Sequence, residues 1–312
     1  MKGLELSKRF YEEVAKPILE QDFAHLLPYV AIGLAGSGSE CYGYDDDLSQ
    51  DHDFEPGFCI FIPDEDVVDR KSAFEFERMY AKLPKEFIGY KRSVVSAVGG
   101  NRHGVIRMSE FFGAKVGSLT GQLTVGQWLS LPEYSLLEAT NGEVFCDNYG
   151  KFSAIRQELG YFPDDIRLKR MAGNLLLMGQ SGQYNYSRCL SRGETASAQL
   201  ALFEFVKSAV SVAFLLNQKY MPYYKWSFRA LREMGQEYAL LADKLERLIT
   251  TDNSDPQNKT AIIESVCKFV SAVLNEQGIT KSTSSEMEEQ AYAVNDMISN
   301  NDIRNMNVLS GV

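Results

Sequence analysis

From residue 3 to 27 apolar side chains recur every three or four positions, Leu6, Phe10, Val14 and Ile18 among them. That spacing predicts an amphipathic helix, interrupted or kinked at Pro17. The period then changes. Residues 29–35 form a short unbroken apolar run, Gly36-Ser37-Gly38-Ser39 a turn, and residues 40–50 a short helix or acidic loop. Residues 54–62 predict a strand with a bulge or an edge near Pro56-Gly57. Helical spacing returns over 67–83, strand patterns over 92–98 and 105–108, and helices over 124–131 and 134–139. Asn141-Gly142 turns the chain into a short strand, 143–146.

After Tyr149 the strand signal stops. Helices are predicted over 151–159, 166–179 (started by Pro163-Asp164-Asp165), 194–220, 222–234, 237–250, 259–277 and 286–299. The polar, Pro-containing stretch 250–259 reads as an exposed loop, and residues 301–312 as a loose tail. The expected fold class is α+β: a small mixed-sheet domain over residues 1–150, then an all-α helical bundle domain over 151–300.

Charge and composition narrow the function classes. A formal net charge of −10 argues against non-specific binding of nucleic acid through overall charge. The five cysteines contain no C-x-x-C, which fits reduced thiols and neither a disulfide framework nor a zinc knuckle. The first twenty residues are charged throughout and lack the apolar core of a signal peptide. Apolar runs such as 175–178 fall far short of the roughly 20 residues that span a bilayer. These features lead us to expect a soluble, cytoplasmic protein with no membrane partner.

The densest chemistry lies between residues 36 and 53. On a strand over 51–62, Asp51 and Asp53 would share a face, with His52 on the other. Two adjacent carboxylates repel unless a cation sits between them, and Mg²⁺ takes one or two carboxylates together with substrate phosphates. The glycines upstream are neither a dinucleotide fingerprint, since position 41 is Cys41, nor a P-loop, since G-K-[ST] is absent. The turn does offer backbone N–H groups to a phosphate.

Gly38-Ser39, eleven intervening residues, and then Asp51-x-Asp53 match the signature of the DNA polymerase beta-type nucleotidyltransferase superfamily. The resemblance implies that Gly38 and Ser39 hold nucleotide phosphates and that Asp51 and Asp53 hold Mg²⁺, two ions in all. The chemistry it implies is in-line displacement at phosphorus. GSGSECYGYDDDLSQDHDF, TNGEVFCDNYGKF, GQYNYSRCLSRGE and LNQKYMPYYKWSFRAL together resemble a bacterial family of nucleotidyltransferase-like domains of unknown function, across residues 25–235. The architecture is similar to that of kanamycin and streptomycin nucleotidyltransferases, whose helical domain closes over the metal site.

Such enzymes often use a third carboxylate. Glu110 is the first candidate here, with Glu143, Asp147 and Glu40 behind it. In the helical half, Lys225 and Arg188 are the preferred ligands for the triphosphate, then Arg192 and Asn185; Arg102 and Arg107 are candidates from the sheet domain. All three histidines lie in the first 103 residues, so the helical half lacks the R-x₄₋₆-H element of HEPN ribonucleases. The expected activity is Mg²⁺-dependent transfer of a nucleoside monophosphate, AMP from ATP or its equivalent from another nucleoside triphosphate, to a hydroxyl of a small molecule or a protein. The alternative is a catalytically inactive nucleotide-binding or partner-binding, antitoxin-like protein of the same fold.

Overall fold

The computed structural model describes residues 1–51, 54–92 and 102–312, without the side chains of Gln50 and Asp51. His52, Asp53 and nearly all of the strand expected over 92–98 therefore lie outside the described residues. The chain is α+β and divides into two compact units, Met1–Gln122 with Ser135–Gly160, and Leu123–Tyr134 with Tyr161–Val312.

The first unit opens with α1 (Gly3–Phe10) and α2 (Lys16–Asp22), joined by a π-helical turn, Tyr11–Ala15. The predicted interruption at Pro17 takes this form. Proline has no N–H and its ring crowds the carbonyl four residues back, and here Lys16 N–H reaches the Tyr11 carbonyl instead, widening the helix just before the ring. There follow β1 (Ala31–Leu34), α3 (Ser39–Tyr42), a 3₁₀ turn (Asp47–Asp51), β2 (Cys59–Ile62) and α4 (Arg70–Lys82). Next come the hairpin β3 (Glu86–Phe87) and β4 (Tyr90–Lys91), then β5 (Gly104–Arg107), α5 (Met108–Val116) and α6 (Val125–Ser130). Then α7 (Glu133–Thr140), β6 (Glu143–Asp147) and α8 (Lys151–Glu158) complete this stretch, with α6 and the start of α7 belonging to the second unit.

The mixed sheet has the order β5-β2-β1-β6. β1 runs antiparallel to β2 and β6, and β2 runs parallel to β5. All four residues of β2 are buried because both faces are covered. Ile60 and Ile62 join Phe10, Phe58, Phe76 and Tyr80 in one core cluster. Phe61, on the other face, stacks at 4.0 Å on Phe152 of α8. That stacking is why residues 151–160 belong with the sheet, although strand patterning ends near residue 150.

β2 is shorter than its apolar pattern predicts. It starts at Cys59, after Pro56 and Gly57, where a Cβ on Gly57 would stand 2.6 Å from the His103 ring. The expected strand over 51–58 is thus not formed by its described residues, and the backbone of Asp51 closes a 3₁₀ turn instead.

The second unit is helical: α9 (Asp164–Met178), a π turn (Gly179–Asn185), α10 (Tyr186–Ser191), α11 (Thr195–Leu216), α12 (Tyr224–Arg232), α13 (Gln236–Thr250), α14 (Pro256–Glu276), α15 (Met287–Asp296) and α16 (Asn301–Arg304). Among the described residues α11 alone is long and apolar enough to cross a membrane, and its most apolar stretch is 67% buried inside the protein. Gly182 permits the close approach of the π turn to α11, since a Cβ there would overlap the Phe205 ring. Residues 123–134 are tied into this unit by Glu133, whose buried carboxylate accepts bonds from Ser211 Oγ (3.0 Å) and Met221 N–H (2.9 Å). Burial pushes that carboxyl up from its ordinary pKa, against the pull of Arg170. Arg170 itself donates to the carbonyls of Trp128, Leu129 and Leu131.

The tail expected to be loose is packed. Lys169 of α9 is fully buried, and its ammonium donates to Asn295 Oδ1 (2.9 Å), Arg304 O (3.1 Å) and Met306 O (2.7 Å). Three donors meet three acceptors, so the desolvated charge is fully satisfied. Two of those acceptors are carbonyls of residues 301–312, and Gly173 and Gly311 let the last residues press onto α9. Lys169→Met keeps much of the buried stem but strands these acceptors, so we expect a loss of about 3 kcal/mol. Hydrogen exchange should show lost protection concentrated in residues 295–312; uniform loss along the chain would refute the local tether.

Candidate functional site

The register of the sheet decides which loops meet. Gly33 of β1 lies opposite Cys59 of β2, Cys59 opposite Gly104 of β5, and Leu34 opposite Glu143 of β6. The Gly/Ser turn, the segment leading into β2, the segment leading into β5 and the Asn141-Gly142 turn therefore share one edge of the sheet. The turn and the described residues 54–58, which lead into β2, therefore converge on this edge, whereas His52 and Asp53 lie outside the described residues.

The turn is braced from three sides. Gly36 and Gly38 adopt φ of 119° and 130°, a region that disfavours other residues. The Asn141 side chain closes on Gly36, with Gly36 N–H donating to Oδ1 (2.9 Å) and Nδ2 donating to the Gly36 carbonyl (2.9 Å). Arg102 Nε donates to the Ser37 carbonyl (3.1 Å), and its Nη2 pairs with Glu40. A Cβ on Gly38 would overlap Nη2 and stand 2.7 Å from both Glu40 oxygens. On the other side, Lys115 Nζ would lie 3.8 Å from a Cβ on Gly36, and it donates to Glu138 (2.6 Å), which also accepts from Tyr42 Oη (2.9 Å).

Two thiols line the site. Burial raises Cys41 well above its ordinary pKa and pushes Cys59 up to about 12. Neither is a thiolate nucleophile at neutral pH. Cys59 Sγ instead donates to the Arg102 carbonyl at 3.2 Å.

The residues expected from sequence fall in several places. Gly38 and Ser39 form the turn itself. The Asp51 side chain and all of Asp53 lie outside the described residues. Among the described residues no group of three or more His, Cys, Asp or Glu is arranged to hold a metal ion.

Glu110 is not brought to the turn by its own element. It sits exposed in the first turn of α5, which begins straight after the C-terminal end of β5, at the opposite edge of the sheet. Asp147 is also at that far edge, at the end of β6, and caps α8 through Gly150 N–H and Ser153 N–H, each at 2.8 Å. Arg107 is there too, donating to the Pro63 and Val68 carbonyls. Of the carboxylates named from sequence, Glu40 and Glu143 are on the turn's edge. Glu143 pairs with Lys8 at 2.6 Å in a half-exposed contact, and this pair raises the Lys8 pKa. A further carboxylate, Glu55, lies on the same edge, 3.0 Å from His103 Nδ1.

Arg188 and Lys225 belong to the second unit and are exposed. The Arg188 guanidinium lies 4.6 Å from the Tyr184 ring centre, and Lys225 Nζ lies 4.9 Å from that of Trp226. Asn185 and Arg192 are also exposed. Next to Lys225, the half-exposed Tyr134 and Tyr223 meet edge to face at 5.4 Å, and Tyr223 lies 4.5 Å from Tyr224. By contrast, Gln183 is structural: it donates to Glu264 and the Ser285 carbonyl and accepts from Met287 N–H.

Sequence reasoning missed Asn141, Lys115, Glu138 and Tyr42 as parts of the site. Asn141-Gly142 was legible only as a turn. The others carry no local signal, because the contacts that join Tyr42 and Lys115 to Glu138, and Lys115 to Gly36, span tens of residues.

A family model described as "Domain of unknown function (DUF4037)" matches residues 128–227. The match takes in Glu138, the Asn141-Gly142 brace, Arg188 and Lys225, and stops short of the Gly/Ser turn and its acids. No curated protein and no solved structure matches the chain.

Proposed function

We propose that the protein is a Mg²⁺-dependent nucleotidyltransferase of the DNA polymerase beta type, moving a nucleoside monophosphate from a triphosphate, with ATP the first donor to test, onto a hydroxyl. The observation that supports this reading is the register that puts the exit of β1, with its Gly/Ser turn, beside residues 54–58, which lead into β2. Hard oxygen donors two residues apart suit Mg²⁺, and Asp51 and Asp53 would hold it. Magnesium when bound neutralises developing charge on the phosphate oxygens. Gly38 and Ser39 would receive the phosphates, on a backbone held rigid by Asn141 and Arg102. The acceptor oxygen bonds to the α-phosphorus, the bridging P–O bond breaks, and pyrophosphate leaves. Glu143 is the carboxylate at the turn's edge best exposed to take the acceptor proton, since a half-exposed ion pair with Lys8 holds it only weakly.

The acceptor is a small molecule or a protein side chain. The net charge of −10 favours a cationic small molecule over a nucleic acid. Lys225 and Arg188, exposed beside aromatic rings on the helical unit, are candidate contacts for the triphosphate.

One observation favours the second reading, a nucleotide-binding or partner-binding protein without turnover. β5, the strand parallel to β2, is Gly-Val-Ile-Arg and carries no acid, while Glu110 sits at the opposite edge. Pyrophosphate release separates the two. The enzyme releases it with ATP, Mg²⁺ and a panel of aminoglycoside and protein acceptors; the binder takes up nucleotide calorimetrically and releases none. Absence of nucleotide binding with Mg²⁺ would sink both.

A further inference from the structure

We propose that Glu40 is an autoinhibitory latch: it holds Arg102 across the Gly/Ser turn and competes with an anionic phosphate ligand for that guanidinium. The inference rests on the reading of the turn as a phosphate site. It goes beyond that reading by assigning an exchange of partners to two residues outside the superfamily signature.

Each glycine of the turn has a cation lying beside it, and each cation is held by a carboxylate. Arg102 lies across Gly38 and pairs with Glu40; Lys115 lies beside Gly36 and pairs with Glu138. A Cβ at 38 would overlap Arg102, so Gly38 lets its cation lie against the backbone, whereas a Cβ at 36 would make only ordinary contact with Lys115. The pairs are neither surface decoration nor sealed core. The side chains of Arg102 and Glu40 are 24% and 11% exposed, those of Lys115 and Glu138 21% and 14%. Such pairs are desolvated enough to strengthen a charge contact and open enough for a ligand to reach it.

A carboxylate at this point has an electrostatic consequence. Glu40 follows Ser39 directly, so its charge would repel any phosphate on the turn unless a cation neutralises it. Arg102 does so now. A polyphosphate carries several negative charges and more anionic oxygens than the single carboxylate of Glu40, so it displaces Glu40 from the guanidinium. Arg102 Nε keeps its bond to the Ser37 carbonyl, which leaves the guanidinium tethered while its other nitrogens change partner. Glu138, by contrast, also accepts from Tyr42 and serves to hold Lys115 in place.

The alternative is that the Arg102–Glu40 pair merely braces the turn, and the two roles predict opposite signs. The probe is inorganic tripolyphosphate without metal, titrated calorimetrically into the full chain. A latch makes Glu40→Gln bind about 3- to 10-fold tighter, because the competitor is gone and Arg102 stays. Arg102→Gln binds at least about tenfold weaker, with a melting profile that confirms folding. Tighter binding by Glu40→Gln cannot arise from misfolding. Unchanged or weaker binding by Glu40→Gln overturns the latch, and so does an absence of tripolyphosphate binding in both the wild type and Glu40→Gln. Mg²⁺-ATP binding, compared between the wild type and Asp51→Asn/Asp53→Asn, reports separately on the nucleotidyltransferase reading. That reading survives if metal-dependent binding persists while Glu40→Gln shows no gain.

Discussion

Asp51→Asn/Asp53→Asn is expected to abolish Mg²⁺-dependent nucleotide binding and to reduce pyrophosphate release by at least about 10³-fold. Both carboxylates are removed together because one alone retains part of the attraction for the metal. Asparagine keeps the size and an oxygen ligand but loses the charge, so the effect reports electrostatics rather than packing. A second readout separates a functional pair from a structural one. Neighbouring carboxylates repel in the absence of metal, so the double variant should melt at the same temperature as the wild type without Mg²⁺, or slightly above it. With Mg²⁺ and nucleotide at about 100 times Kd, the wild type should gain about 2.7 kcal/mol that the variant does not. Metal-dependent ATP binding that survives both substitutions would remove the basis of the proposed activity.

Gly142→Ala is expected to cost about 3–5 kcal/mol. Gly142 has φ of 68°, and its missing Cβ would overlap the Leu34 carbonyl oxygen, 2.9 Å from the carbonyl carbon and 3.0 Å from Ala35 Cα. Every obstacle is backbone at the end of β1, so no side chain can swing aside. Gly33 is the reciprocal contact, since a Cβ there would overlap the Glu143 carbonyl. The two glycines let β1 and β6 approach where the Gly/Ser turn begins, and Asn141 reaches Gly36 only from that position. Gly150→Ala is the control: φ is 73° but nothing stands within 4 Å, so only the backbone penalty of about 1–2 kcal/mol applies. Denaturant midpoints that fall equally in the two variants would mean that conformational preference, and not close approach, governs Gly142.

Local pattern made much of the fold legible. The 3.6-residue period read across the second half matches α9, α11, α13, α14 and α15 to within a few residues at their ends. The Pro163-Asp164-Asp165 start is where α9 begins, with Asp164 and Asp165 in its first turn. The same reasoning overextended β2, because an apolar run that includes Pro56 and Gly57 has strand composition without strand hydrogen bonding. It also missed α5, whose mean character is apolar without a polar face to set the period. The packed residues after 300 were unreadable because a buried lysine in α9 holds them, and no local rule announces a lysine that is fully buried.

By itself, the sequence determined the α+β class, the long apolar helices, and a glycine-serine turn followed by two acids, since these depend on residues within about fifteen positions of each other. Only the tertiary structure decided what surrounds that turn. Strand register brought Asn141 and Arg102 to Gly36 and Ser37, the return of α5 brought Lys115, and the direction of β5 sent Glu110 to the far edge. Those placements follow from hydrogen-bond pairing between strands far apart in the chain, where a shift of one residue exchanges the two faces and a reversed strand exchanges the two edges. No local pattern encodes that choice. It is made by the packing of Phe58, Ile60 and Phe61 on either side of the sheet.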